Sequence, residues 1–211
     1  MTEDDGTARP TLAPLAADQW GDAEYAAFGV LLGIPGARVP RAGSGHALDP
    51  LKFDIIGLLA RHPEMAQAFL TFNGFLLRRG ELSPRLRELA ILRVARTRRS
   101  AFFWGEHTKL ALDSGVPGDD IARLAEGNEG FSGVDSLVLS ATDELLADGR
   151  VDAGTWERLA GALQTRAAME LIFVVGTYVM LAMAFQTWGL LPPAGSAVLP
   201  ELPPRQELPE G

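Results

Sequence analysis

The segment Leu171–Leu191, LIFVVGTYVMLAMAFQTWGLL, holds no charged residue. A helix that is apolar on every side has two homes, a bilayer or the middle of a folded core. Its setting favours the core. Glu170 stands at its start, Thr177, Tyr178 and Gln186 interrupt it, and no basic cluster follows it as a membrane anchor would favour. The segment therefore predicts a buried central helix, and a central helix needs others around it.

The rest of the chain supplies them. Apolar residues at helical spacing fill 18–32. Asp49 reads as an N-cap with Pro50 in the first turn of a helix running to about Arg61. Further helices open at Pro63, at Ser83–Pro84 and at Ser100, and end near Gly80, Arg96 and Gly115. Shorter ones fit 118–126, 133–148 and 152–164, before the apolar segment from about 166 to 189. No stretch alternates as a strand would, and no GxGxxG, Walker loop or solenoid repeat is present. The predicted fold is all-α, a single-domain bundle of about eight helices over 18–191. Residues 1–17 read as a flexible leader and 192–211 as a Pro-rich flexible tail. Residues 33–48, rich in Gly and Pro, read as a long loop; whether it covers a site is left open by the sequence.

The acidic balance, a net charge of −8, argues against nucleic acid as a partner. The absence of cysteine removes disulfides, thiolate metal sites and thiol catalysis together. The polar, acidic N-terminus lacks the pattern of a signal peptide, so the expected location is cytoplasmic.

Two ionisable residues sit where the pattern predicts core. Glu88 shares a helix face with Ile91, Leu92 and Ala95, while Arg85, Arg93 and Arg96 lie on another side. His107 is flanked on its face by Phe103 and Trp104 before it and Leu110 and Ala111 after it. A turn near Thr97–Ser100 folds the two helices into a hairpin and brings both groups to one core. Such a pair is either a satisfied structural hydrogen bond or an acid–base couple in a dry pocket.

The stretches GELSPRLRELAILRVAR, FFWGEHTKLAL and GVPGDDIARL resemble the carboxymuconolactone decarboxylase and alkylhydroperoxidase D-like superfamily, and MELIFVVGTYVMLAMAFQTWGL resembles the closing helix of its longer members. Redox members carry Glu, eleven residues, Cys, two residues, Cys, three residues, His. On this chain that spacing falls on Glu88, Ser100, Phe103 and His107. The acid and the imidazole are kept and both thiols are lost. A serine hydroxyl cannot cycle through a disulfide, so peroxidase and disulfide-reductase chemistry are excluded. Where Cys-less members often have acids before the tryptophan, this chain has Ala101, Phe102 and Phe103, which makes a greasier pocket.

The resemblance implies a homo-oligomer, a dimer, trimer or hexamer, with pockets near subunit contacts. It also implies a cofactor-independent lyase or isomerase, decarboxylase-like or acting on a lactone or ring, with a small-molecule substrate. His107 would be the acid or base and Glu88 its partner. Phe103, Trp104, Ser100 and Tyr178 would bind substrate, with no cofactor and no metal. The alternative is a non-catalytic ligand-binding or interaction protein on the same scaffold. His46, His62 and His107 lack the close pairing of a metal site. The eight arginines between Arg78 and Arg99 read as helix-terminal, solvated or inter-subunit charges.

Overall fold

A computed structural model describes residues 12–126 and 130–201. Among these the chain forms nine α-helices and no strand: α1 Asp22–Leu32, α2 Asp54–Leu59, α3 Pro63–Arg78, α4 Pro84–Thr97, α5 Ala101–Asp113, α6 Gly118–Glu126, α7 Gly133–Asp148, α8 Ala153–Leu163 and α9 Thr165–Thr187.

Ser83 and Ser100 cap α4 and α5 as expected, accepting hydrogen bonds from first-turn N–H groups, and Pro63 and Pro84 open their helices without needing an N–H. Asp152 caps α8 in the same way, accepting the Gly154 N–H. One helix differs from expectation. Asp49 does cap, receiving the Leu51 N–H at 3.0 Å, but Pro50–Lys52 forms only a 3-10 turn, and α2 starts afresh after extended Phe53. Asp49 has other work as well, since it also accepts the N–H groups of Gly43 and Gly45. Burial pushes its carboxyl up, but the three backbone donors, with Lys52 adding, hold it below its ordinary value. These bonds tie down the 33–48 loop.

The most enclosed helix is α4 rather than α9. It packs against α5, α6, α7 and α9, and nine of its residues, from Leu86 and Glu88 to Ala95, are buried. The arginines that read as solvated charges make this possible. Arg85 grips Asp135 and Arg93 grips Asp143, each through two short bonds, so two points of contact align α4 with α7. Arg96 donates to the carbonyls of Ala125 and Glu126 at the C-terminal end of α6.

Helix α9 is long and apolar enough to cross a membrane by length and composition, and half of its most apolar window is buried inside the fold. Its inner face, Leu171, Val174, Val175, Tyr178, Ala182 and Phe185, packs into the main core. Its outer face remains exposed, which an all-round apolar sequence does not reveal.

A second, smaller core gathers α1 to α3 around Trp20, Phe28, Leu59 and Leu70. Gly29 and Gly36 let the return from α1 press backbone to backbone; a Cβ on Gly36 would come within 2.8 Å of Ala26 and Tyr25 main-chain atoms.

Parts of the expected leader and tail lie against this body. Leu15 N–H bonds the Gly57 carbonyl and Leu12 N–H the Trp188 carbonyl, while Ala197 and Leu199 pack on the main core. Residues 1–11 and 202–211 of the leader and tail lie outside the described residues.

Candidate active site

Helix α4 ends in a turn that positions the site. Arg99 adopts a left-handed φ of 56°, the Arg99 N–H bonds the Arg96 carbonyl, and the Ser100 N–H reaches back to the Ala95 carbonyl. This closed helix end sends α5 back along α4. A non-glycine residue there costs roughly 1–2 kcal/mol, offset by the helix pairing that it permits.

The hairpin brings the two buried ionisable groups together. His107 Nδ1 lies 2.6 Å from Glu88 Oε2. Glu88 is 1% exposed and His107 6%. The other carboxylate oxygen, Oε1, accepts from Arg87 Nε at 3.3 Å, and Arg87 also donates to the Leu77 carbonyl. A carboxylate on Nδ1 fixes the ring's orientation and leaves Nε2 as the nitrogen free to act on a ligand.

The pair faces a cavity of about 360 Å³ at the seam between the two cores. Helices α2 and α3 form one wall, α5 and α9 the other, and Leu31 and Phe53 contribute from the N-terminal part. The lining is largely apolar. Phe103 and Tyr178 close around His107: the Tyr178 ring stands perpendicular to the imidazole at 4.9 Å between centroids, and Phe103 contacts both. Phe102 and Phe185 extend this aromatic wall. Edge-to-face pairs of this kind contribute about 0.5–1.5 kcal/mol each beyond area burial.

Burial pushes the Tyr178 phenol well up, the Glu88 carboxylate pushes it further, and Arg87 opposes weakly. The phenol therefore stays a neutral donor across ordinary pH. A raised folded value contributes stability that is intact below the unfolded value of about 10 and is lost as pH rises beyond it. We expect the unfolding free energy of the wild type to fall relative to Tyr178→Phe above pH 10, by up to ~1.4 kcal/mol per pH unit. Urea titrations at several alkaline pH values check this, and parallel curves would rule it out.

Of the six site residues expected from sequence, Glu88, His107, Phe103 and Tyr178 meet at the cavity. Two do not. Trp104 is buried in the main core and absent from the lining. Phe103, His107 and Leu110, with Ser114 just past the helix end, face the cavity from α5, and Trp104 with Ala111 forms the adjoining stripe turned to the main core. Ser100 is buried and caps α5 through the Phe103 N–H. Thr177 and Gln186 also lie off the cavity; Gln186 donates to the Arg98 carbonyl. Loop 33–48 contributes nothing to the lining.

Sequence reasoning passed over Asn73 and Arg87. Asn73 is a lone amide inside FLTFNGFLL, on the buried face of α3 and in the cavity wall. Arg87 was counted among surface arginines, but its side chain is 11% exposed. Among the described residues no group of three or more His, Asp or Glu could hold a metal ion.

The model of the carboxymuconolactone decarboxylase family matches residues 63–145, from the first residue of α3 into α7. The matched stretch contains Glu88, Phe103 and His107; the α2 and α9 walls of the cavity lie outside it. The comparison with curated proteins finds no match.

Proposed function

We propose, for a chain whose residues 63–145 match the model of the carboxymuconolactone decarboxylase family, that it is a cofactor-independent lyase or isomerase acting on a small carbonyl or lactone metabolite. The observation that carries this reading is the 2.6 Å contact of His107 with Glu88 inside an apolar cavity. The chemistry is a proton shift. His107 Nε2 takes a proton from the carbon beside a carbonyl, and the C–H electron pair moves into an enolate whose charge rests on oxygen. Tyr178, kept as a phenol, is the neutral donor available to that oxygen. The same imidazolium then returns the proton to another carbon of the conjugated system, so electrons and protons balance within one substrate. Glu88 steadies the imidazolium as it forms, and the dry aromatic wall strengthens both effects. With no cysteine in the chain, peroxidase chemistry has no thiol to run on.

The test uses 5-hexyl-2(3H)-furanone, a neutral unsaturated lactone, in deuterated buffer. Migration of the ring double bond with deuterium incorporation, followed by NMR and faster with protein than with buffer alone, supports the reading. Exchange at the buffer rate with the lactone bound leaves only the ligand-holding alternative, to which the apolar lining is equally suited.

We also propose that the chain pairs with a second copy through α9. Arg166, Met169, Phe173, Gly176, Met180, Met183 and Thr187 are exposed along it, with Thr165 and Gln186 exposed beside them at its two ends, and these seven recur at alternating steps of three and four. That is the 3.5-residue repeat of a helix seam that another helix covers. The pattern is nearly symmetric about Gly176, so a reversed copy would set Phe173 against Met180 and Met169 against Met183. Gly176 has open space where a Cβ would be, leaving room for close approach. The double variant Phe173→Glu, Met180→Glu should run at the 22.6 kDa of one chain in light scattering, with wild type at a multiple of it. A monomeric wild type, or an unchanged mass in the variant, would overturn the pairing.

A further inference from the structure

Asn73 points to what the cavity holds. The residue is 8% exposed, lines the cavity, and its Oδ1 has no hydrogen-bond partner among the described residues. Native proteins rarely leave a buried amide oxygen unpaired, because the desolvation is then uncompensated. An acceptor set in the wall of a cavity asks for a donor from the ligand.

The charges of the lining narrow the choice. Its one guanidinium, Arg87, is already engaged by the Glu88 carboxylate and the Leu77 carbonyl. The remaining ionisable groups are the carboxylates of Glu88 and Glu106 and the imidazole of His107, whose Nδ1 is already taken by Glu88. A ligand carboxylate would enter an apolar cavity without a free cation to receive it and with two acidic side chains in the wall. A ligand ammonium would need Glu88, which is committed to Arg87 and His107.

From these observations we infer that the cavity takes a neutral, mainly apolar ligand carrying a hydroxyl or amide N–H, and that Asn73 receives this donor and sets specificity. The inference rests on the cavity being the ligand site, as in the proposed function, and it narrows that function. A neutral ligand has no carboxylate to lose, so the chemistry is isomerisation or ring opening rather than decarboxylation.

The test is equilibrium binding, read by calorimetry and separate from turnover. Octan-1-ol and 1-methoxyheptane are isomers that differ in possessing a hydroxyl donor; octanoate and octylammonium are charged congeners. Wild type should bind octan-1-ol about tenfold or more tighter than each of the other three, the worth of one good hydrogen bond to a buried group. Asn73→Leu, close in volume, should erase the alcohol's advantage over the ether and raise the ligand-free Tm by about 2 °C or more, because an unpaired buried carbonyl is gone. If that variant does not fold, Asn73→Ala carries the same alcohol–ether comparison. Octanoate binding as tightly as octan-1-ol would overturn the inference. So would an alcohol advantage that survives the Asn73 change. Failure here with lactone exchange intact removes the Asn73 role alone, and loss of exchange with the alcohol preference intact removes the catalytic reading alone.

Discussion

His107→Gln should slow double-bond migration in 5-hexyl-2(3H)-furanone by about 10²–10⁴-fold, the usual share of a positioned acid–base group. Glutamine is chosen for what it keeps. Its amide nitrogen can still donate toward Glu88 Oε2, now 2.6 Å from the imidazole, and its volume still props Phe103 and Tyr178, which rest on the ring. What it cannot do is accept a proton and give it back. The variant should fold, retain the cavity and bind octan-1-ol within a few-fold of wild type. A variant with intact exchange shows that another group moves the proton. A variant that binds but does not exchange places the chemistry on the imidazole. Tyr178→Phe should act in the same direction but more weakly, since it removes one donor and leaves the base.

The hairpin that builds this couple was readable because its signals are local. Ser83–Pro84 and Ser100 announce helix starts by their own hydrogen-bonding chemistry, and Glu88 and His107 stand out as polar residues inside helical apolar spacing. Other features depend on partners far along the chain. Arg93 looks solvated on a helical wheel, yet it is buried because Asp143, fifty positions away, comes to meet it. Which sector of α5 faces a cavity and which a packed core depends on where α3 and α9 lie. That is why Phe103 lines the cavity and its neighbour Trp104 does not. Asn73 carried no spacing signal at all. Its meaning comes from being enclosed without a partner, a property of the assembled walls.

The same dependence on partners governs the cost of dismantling the couple. Glu88→Leu should destabilise the protein by about 3–5 kcal/mol, the range for removing one member of a buried ion pair. The leucine fits the apolar surroundings, so packing alone predicts little loss. The cost comes from Arg87, whose enclosed guanidinium loses its counter-charge and keeps only the Leu77 carbonyl, and from His107, whose Nδ1 loses its partner. Glu88→Gln should cost about 1–2 kcal/mol, because one amide can still serve both neighbours as a neutral group. It should also slow lactone exchange by less than His107→Gln, since it weakens support for the imidazolium without removing the proton carrier. The decisive arm is Arg87→Met combined with Glu88→Leu. Both charges are then gone, and apolar side chains of similar length fill the space. Stability should recover by at least half of the Glu88→Leu loss, as buried ion pairs exchanged whole for apolar groups often do, while exchange stays impaired. Urea denaturation measures the first quantity and NMR the second. Recovery of stability without recovery of exchange would separate what Glu88 does for His107 from what it does for the fold. A double variant no more stable than Glu88→Leu would show that the cost lies in packing, and that the Arg87 contact at 3.3 Å carries little of it.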